Sequence, residues 1–249
     1  MTSVRDIFNF LDKIAPFDSQ ADDNSGLQTG DFASPVECAM VCLDVTPQVI
    51  DQAAGLHCDL VVAHHQVIFH ARKQLLSHDP AWLLARHGMA CIASHAPLDC
   101  CPGGVNDLLC ERLALGEMTR PDALLRLITL PNPMTAKALA DHVSQKLDAH
   151  VRYLDAARPI TTAAVCGGGG CHFLGELYGR ADAYITGDAG HHNFIEAAQH
   201  GLSLIAAGHF ETEIHIVPAL AGRLREAFPA VEWHIADEQG AIKYAGPEA

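Results

Sequence analysis

Two periodicities run through this chain. Residues 3–14 carry Val4, Ile7, Phe8, Phe10, Leu11 and Ile14, a helical spacing that closes before Pro16. Short unbroken apolar runs follow at 37–44, 59–63, 89–94, 124–130, 161–166 and 202–208, with a shorter one ending at Thr186. Continuous runs of this length mark strands buried on both faces, as in parallel sheets. Helical patterns fall between them. Thr46 and Pro47 open one that reaches about Leu56, Pro80 starts another that Gly88 stops, and others are predicted over 108–115, 135–147, 191–200 and 212–228.

Strands alternating with helices predict an α/β protein with parallel pairs joined by crossovers. The polar, breaker-rich stretch 116–122 is the best boundary, so the expected architecture is two α/β lobes, 1–120 and 121–249, with mostly parallel or mixed sheets. The segment 21–30 reads as a connecting loop whose Asp23 and Asn24 offer polar side chains.

The chemistry-bearing residues sit where the apolar runs stop. His64 and His65 end the run at 59–63, and neighbours in a strand point to opposite faces, so both can serve a site only at a strand end or from two sides of it. Alone, such a pair reads as one core histidine and one solvated one. The next run ends in His95 and Asp99, and the run at 202–208 delivers His209, Glu211 and Glu213. His209 and Glu213 are four apart and share a face if a helix begins early, which selects Glu213 over Glu211. In open α/β sheets ligands gather at these carboxyl ends.

His64, His65, Asp99, His209 and Glu213 make a donor set suited to iron, zinc or manganese and too rich in nitrogen for magnesium or calcium. Two carboxylates also allow bridging between two ions, whereas a single structural zinc needs only four of the five groups. His95 is placed behind the ligands, orienting Asp99. Asp188, between two glycines after the run ending at Thr186, is a candidate for lining a pocket. His191 and His192 read instead as the start of a helix. The glycines at 167–170 lack the Lys-Ser/Thr ending of a phosphate loop and predict a tight strand-to-helix turn.

Composition narrows the partners. At 249 residues and 49% apolar, the chain can bury a sizeable core, and a net charge of −14 argues against non-specific nucleic-acid binding. The start of the chain is amphipathic and no apolar run approaches a membrane span, which predicts a cytoplasmic protein. Nine cysteines without a Cys-x-x-Cys pair predict reduced, structural thiols.

Several stretches together resemble one family, the dinuclear-metal-centre hexameric proteins described as GTP cyclohydrolase type 2 homologues, or Nif3-like. They are residues 23–30, Leu43-Asp44-Val45-Thr46, Ala63-His64-His65 with Ile68-Phe69, Ser94-His95 with Leu98-Asp99, Gly103-Gly104-Val105-Asn106-Asp107, Ile185-Thr186-Gly187-Asp188 and residues 208–213. The resemblance implies two α/β lobes with the metal site in the cleft between them and a homo-hexameric toroid. It makes His64, His65, Asp99, His209 and Glu213 the ligands of two divalent ions per subunit. The implied activity is metal-dependent hydrolysis of an anionic small molecule by a metal-activated hydroxide, with His95 as a catalytic proton carrier. The alternative is a non-catalytic metal-binding protein that handles iron or acts as scaffold or regulator. Gln66 stands where the family usually has proline, Asp22 replaces a frequent tryptophan, and Ala96-Pro97 replace more polar residues.

Overall fold

The computed structural model describes residues 1–245. The chain opens with α1 (Val4–Ile14), whose Ser3 hydroxyl accepts from the Asp6 amide while the Asp6 carboxylate accepts from the Ser3 amide, a reciprocal cap. It continues through β1 (Gly26–Thr29), β2 (Cys38–Cys42), α2 (Pro47–Gly55), β3 (Leu60–Ala63), α3 (Pro80–His87), β4 (Ala90–Ala93) and α4 (Ala96–Cys100). Then come α5 (Val105–Leu113), β5 (Glu117–Thr119), β6 (Arg126–Met134), α6 (Ala136–Leu147), β7 (Arg152–Leu154), β8 (Ile160–Cys166) and α7 (Leu174–Leu177). The last elements are β9 (Ala183–Thr186), α8 (His191–Gln199), β10 (Ser203–Ala206), α9 (His209–Glu213), α10 (Ile216–Ala227) and β11 (Glu232–Ile235).

These elements form a mixed α/β protein with two sheets. One has the order β1-β4-β3-β2-β11, with β4, β3, β2 and β11 mutually parallel and β1 antiparallel at the edge. The other has the order β5-β6-β8-β9-β10-β7, in which β8, β9 and β10 are parallel and the outer strands antiparallel. Every residue of β2, β3, β4, β9 and β10 is buried, which is why these strands read as unbroken apolar runs. Met40, Val49, Ile50, Val61 and Leu84 join the first sheet to α2 and α3, and Leu139, Val143, Val165, Ile185 and Ile205 join α6 to the second.

The chain divides into two compact units differently from a single cut near residue 120. One unit is 1–101 with 216–238, and the other is 102–215 with the chain from Gln239. The return arises because β11 pairs in parallel with β2, matching Glu232 to Cys38 and Ile235 to Val41. The breaker-rich stretch 116–122 holds β5, and the expected loop at 21–30 holds β1. These edge strands, like β7 and β11, are short and bury at most one residue each, so no unbroken apolar run marks them. The helix expected over 212–228 is two, α9 and α10. Pro218 explains the break, because a proline ring clashes with the carbonyl four residues earlier, here Ile214, and is tolerated only in the first turn of a new helix.

The second unit carries a buried charge cluster. Arg126 is fully buried and Asp107 is 2% exposed. The Asp107 carboxylate accepts from Arg126 Nε at 2.6 Å, from Arg120 Nε at 3.1 Å and from the Gly103 amide at 2.6 Å. Burial pushes the Asp107 carboxyl up, but the Gly103 amide and the two guanidiniums outweigh it and hold it below the usual carboxylate range. Removing Asp107 takes the carboxylate from a buried guanidinium, so Asp107→Ala is expected to cost about 3–5 kcal/mol in urea unfolding at neutral pH. A carboxyl with a depressed folded pKa stabilises above its unfolded value of about 3.9 and loses that contribution as pH falls through the folded value. The difference between wild type and Asp107→Ala should therefore shrink below about pH 4, and a difference that stays constant into that range would contradict this account.

Candidate metal-binding site

The first unit gathers three histidines. β3 ends at Ala63, so His64 and His65 lie just past it, where the strict alternation of a strand no longer applies. Their amides donate to Cys42 O at 3.2 Å and Leu43 O at 2.9 Å, which keeps the backbone beside the exit of β2. The ring centroids of His64 and His65 are 4.8 Å apart, and the His95 ring lies 5.2 Å from the first and 5.6 Å from the second. One donor atom from each lies within 4.8 Å of the others.

Each ring has its Nδ1 engaged. His64 Nδ1 is 2.9 Å from Ser94 O, His65 Nδ1 is 2.8 Å from Asp44 Oδ1, and His95 Nδ1 is 2.6 Å from Asp23 Oδ2. Such partners fix ring orientation and, when Nδ1 carries the proton, leave Nε2 as the donor, the arrangement of metal-binding histidines. Asp99, on α4, brings Oδ1 to 3.5 Å from His64 Nε2.

The acceptors are themselves held. The Glu238 carboxylate accepts from the Leu43 amide at 2.6 Å and the Asp44 amide at 3.1 Å, clamping the exit of β2. Burial raises the Glu238 carboxyl above its ordinary value, against the two amide bonds that lower it. Asp23 accepts from the Ser25 amide at 2.9 Å, and the Ser25 hydroxyl accepts from the His95 amide at the same distance. Burial works to raise the Asp23 carboxyl, but hydrogen bonds from His95 and Ser25 hold it far below the usual range.

The second unit supplies a smaller cluster. α9 starts at His209, so His209 and Glu213 share a face, and His209 Nε2 is 3.2 Å from Glu213 Oε2. His209 Nδ1 is 2.7 Å from Asp188 Oδ2, at the exit of β9. The hydrogen bond with Glu213 pushes the His209 imidazole up to about 9, with burial opposing and the charges of Glu213 and Asp188 adding. A proton between an imidazole nitrogen and a carboxylate occupies the place a divalent cation takes. The donor sets of both clusters, imidazole nitrogen with carboxylate oxygen, therefore fit a divalent transition metal.

Among the expected site residues, His64, His65, Asp99 and His95 stand in the first unit, and His209, Glu213 and Asp188 in the second. His95, expected to orient Asp99, directs its Nδ1 to Asp23 and joins the His64–His65 cluster. Glu238 was not legible, since it meets the Asp44 amide across 194 residues of chain, and Asp44 and Asp23 stood out only as polar residues within the family-like stretches, without their histidine partners. Burial raises the Cys91 and Cys110 thiols to about 12 and Cys171 to about 11, which leaves these three poor nucleophiles.

Fold and side chains together define a mixed α/β protein with imidazole and carboxylate donors clustered at the ends of parallel strands. The chain belongs to the Duf34/NIF3 (NGG1p interacting factor 3) family, whose model matches residues 2–240. It is 31% identical over 229 residues to a "GTP cyclohydrolase 1 type 2 homolog" of Campylobacter jejuni, covering 89% of this chain and 92% of that one. A protein of the same description from Streptococcus pneumoniae is 30% identical over 87% of this chain and 88% of its own. In fold, the chain matches a Bacillus cereus protein related to NIF3 with a TM-score of 0.89 at 20% identity, over 98% of this chain and 99% of the other. No helix among the described residues is long and apolar enough to cross a membrane.

The glycine run after β8 bears directly on Glu213. Gly168 has φ +57, and a Cβ there would collide with Glu213 Oε1 and lie 3.1 Å from His209 Nε2. Gly169 has open space. Gly168→Ala should therefore cost more than about 1 kcal/mol and lower the metal content of the purified protein, while Gly169→Ala changes neither. Thermal unfolding and elemental analysis of the two variants check this, and equal behaviour would remove the steric reading.

Proposed function

We propose that the chain binds two divalent ions, iron, zinc or manganese, through His64, His65, Asp99, His209 and Glu213, and that it is a metal-dependent hydrolase of the GTP cyclohydrolase kind. The observation that carries the reading is the treatment of the histidines, each with Nδ1 engaged by a carboxylate or carbonyl, and with His64 and His209 bringing Nε2 to a carboxylate at 3.5 and 3.2 Å. When bound, such ions supply Lewis-acid chemistry that makes water a nucleophile near neutral pH.

The chain's own groups then have distinct tasks. Asp44, Asp23 and Asp188 orient His65, His95 and His209. His95 is the proton carrier, since its Nδ1 is fixed by Asp23 and its other nitrogen can take or give a proton at the substrate. An anionic substrate suits ions whose charge exceeds that of the two ligating carboxylates, Asp99 and Glu213, and the descriptions of the relatives point to a purine nucleotide. The six-subunit ring implied by the family resemblance belongs to the same proposal and is read by light scattering of the purified chain.

Elemental analysis of the purified protein should find at least about two ions per chain, with fewer in Glu213→Ala. Incubation with GTP should release formate in wild type and far less in Glu213→Ala or His95→Ala. Full metal loading without turnover on GTP or related nucleotides would overturn the hydrolase and leave a metal-binding protein. One ion per chain, retained by His64→Ala, would overturn the two-ion ligand set.

A further inference from the structure

A second group of donors lies at the opposite end of the first sheet. Cys38 begins β2, whereas Asp44, His64 and His65 stand beyond the far ends of β2 and β3, about 15 Å away for a strand of this length. Cys38 Sγ is 3.2 Å from Cys58 Sγ. Single donor atoms of Cys38, Glu232 and His234 lie within 4.8 Å of one another, and His234 Nε2 is 3.1 Å from Glu232 Oε1.

The local fold aims these side chains together. Cys38 is opposite Glu232 and Met40 opposite His234 in the parallel pairing of β2 with β11, so residues 38, 232 and 234 share one face of the sheet. Cys58 arrives by a tight turn after α2 in which His57 adopts φ +57 and the Cys58 amide donates to Ala53 O at 2.9 Å. Asp59 then staples this turn to β2. Its carboxylate accepts from the Cys38 amide at 3.1 Å, and its own amide donates to Cys38 O at 2.8 Å.

We propose that Cys38, Glu232 and His234 form a further metal site, a zinc-type centre at the β2–β11 edge whose fourth ligand is Cys58, brought in through its 3.2 Å approach to Cys38 Sγ, separate from the imidazole–carboxylate clusters. Two thiolates, an imidazole and a carboxylate are a borderline-soft set that selects zinc-like ions and satisfies tetrahedral coordination. The thiols are buried while the Glu232 side chain is 72% exposed and His234 27%, so the ion enters from solvent on the edge-strand side. A bare dithiol pair working by redox exchange has no use for the adjoining imidazole and carboxylate. The centre would tie the returning strand β11 to β2 and to the turn after α2.

Cobalt(II) titration of the reduced full-length protein, stripped of metal by chelator, tests this, because only a sulfur-ligated ion gives a thiolate-to-cobalt charge-transfer band in the near ultraviolet. The imidazole–carboxylate clusters contain no sulfur and stay silent. The expected result is a band that saturates at one cobalt, disappears on adding zinc, is absent in Cys38→Ser and Cys58→Ser, and persists in His64→Ala. Glu232→Gln, at an exposed position that leaves folding intact, should weaken the cobalt affinity about tenfold or more. No band in the reduced wild type overturns the proposal, as does a band unchanged in Cys58→Ser. A chain that forms a Cys38–Cys58 disulfide in air and shows no band after reduction overturns it in favour of a redox pair.

Discussion

An imidazole makes a dependable metal ligand when its second nitrogen is already held, because that bond sets both the tautomer and the direction of the free lone pair. The cluster histidines His64, His65, His95 and His209 have this support, from Ser94 O, Asp44, Asp23 and Asp188. Each acceptor needs a fixed backbone beneath it. Glu238 clamps the amides of Leu43 and Asp44, Ser25 ties Asp23 to His95, and the Asp188 amide donates to Gly168 O at 2.9 Å. Much of the loop structure around the strand exits serves this one requirement.

The strands explain why the exits are available. Parallel strands buried on both faces leave no room for polar side chains along their length, so the chemistry collects where pairing ends. In the second unit, glycine and threonine complete the arrangement. Gly208, with φ +93, turns the chain from β10 into α9, and Thr212 Oγ1 donates to Gly208 O at 2.8 Å while accepting from the Gly168 amide at 3.1 Å. These contacts bring the bare backbone of Gly168 against Glu213, where a side chain would not fit.

Electrostatics divides between local and global. A chain of net charge −14 repels polyanions at long range, and the carboxylates beside the histidines add local negative charge of the kind that suits a cation. These same carboxylates orient the rings. The buried Asp107–Arg126 pair is of another kind, a carboxylate and a guanidinium joined at 2.6 Å within the second unit.

Sequence alone determined the elements whose patterns are long or one-sided. The amphipathic α1, α3 with its proline start and glycine stop, and the apolar runs of β2, β3, β4, β8 and β10 were legible because burial on one or both faces leaves a periodic mark. His64, His65, Asp99, His209 and Glu213 were legible as a candidate set because strand exits can be located from those runs, and the i, i+4 spacing of His209 and Glu213 holds in α9. Tertiary structure alone decided what depends on contacts distant in sequence. The short edge strands β1, β5, β7 and β11 exist through their hydrogen-bonded neighbours, the return of residues 216–238 follows from β11 pairing with β2, and Glu238 finds the Leu43 amide from 195 residues away. His95 turned to Asp23 for the same reason, since the partner of a side chain is set by the packing of segments far apart along the chain.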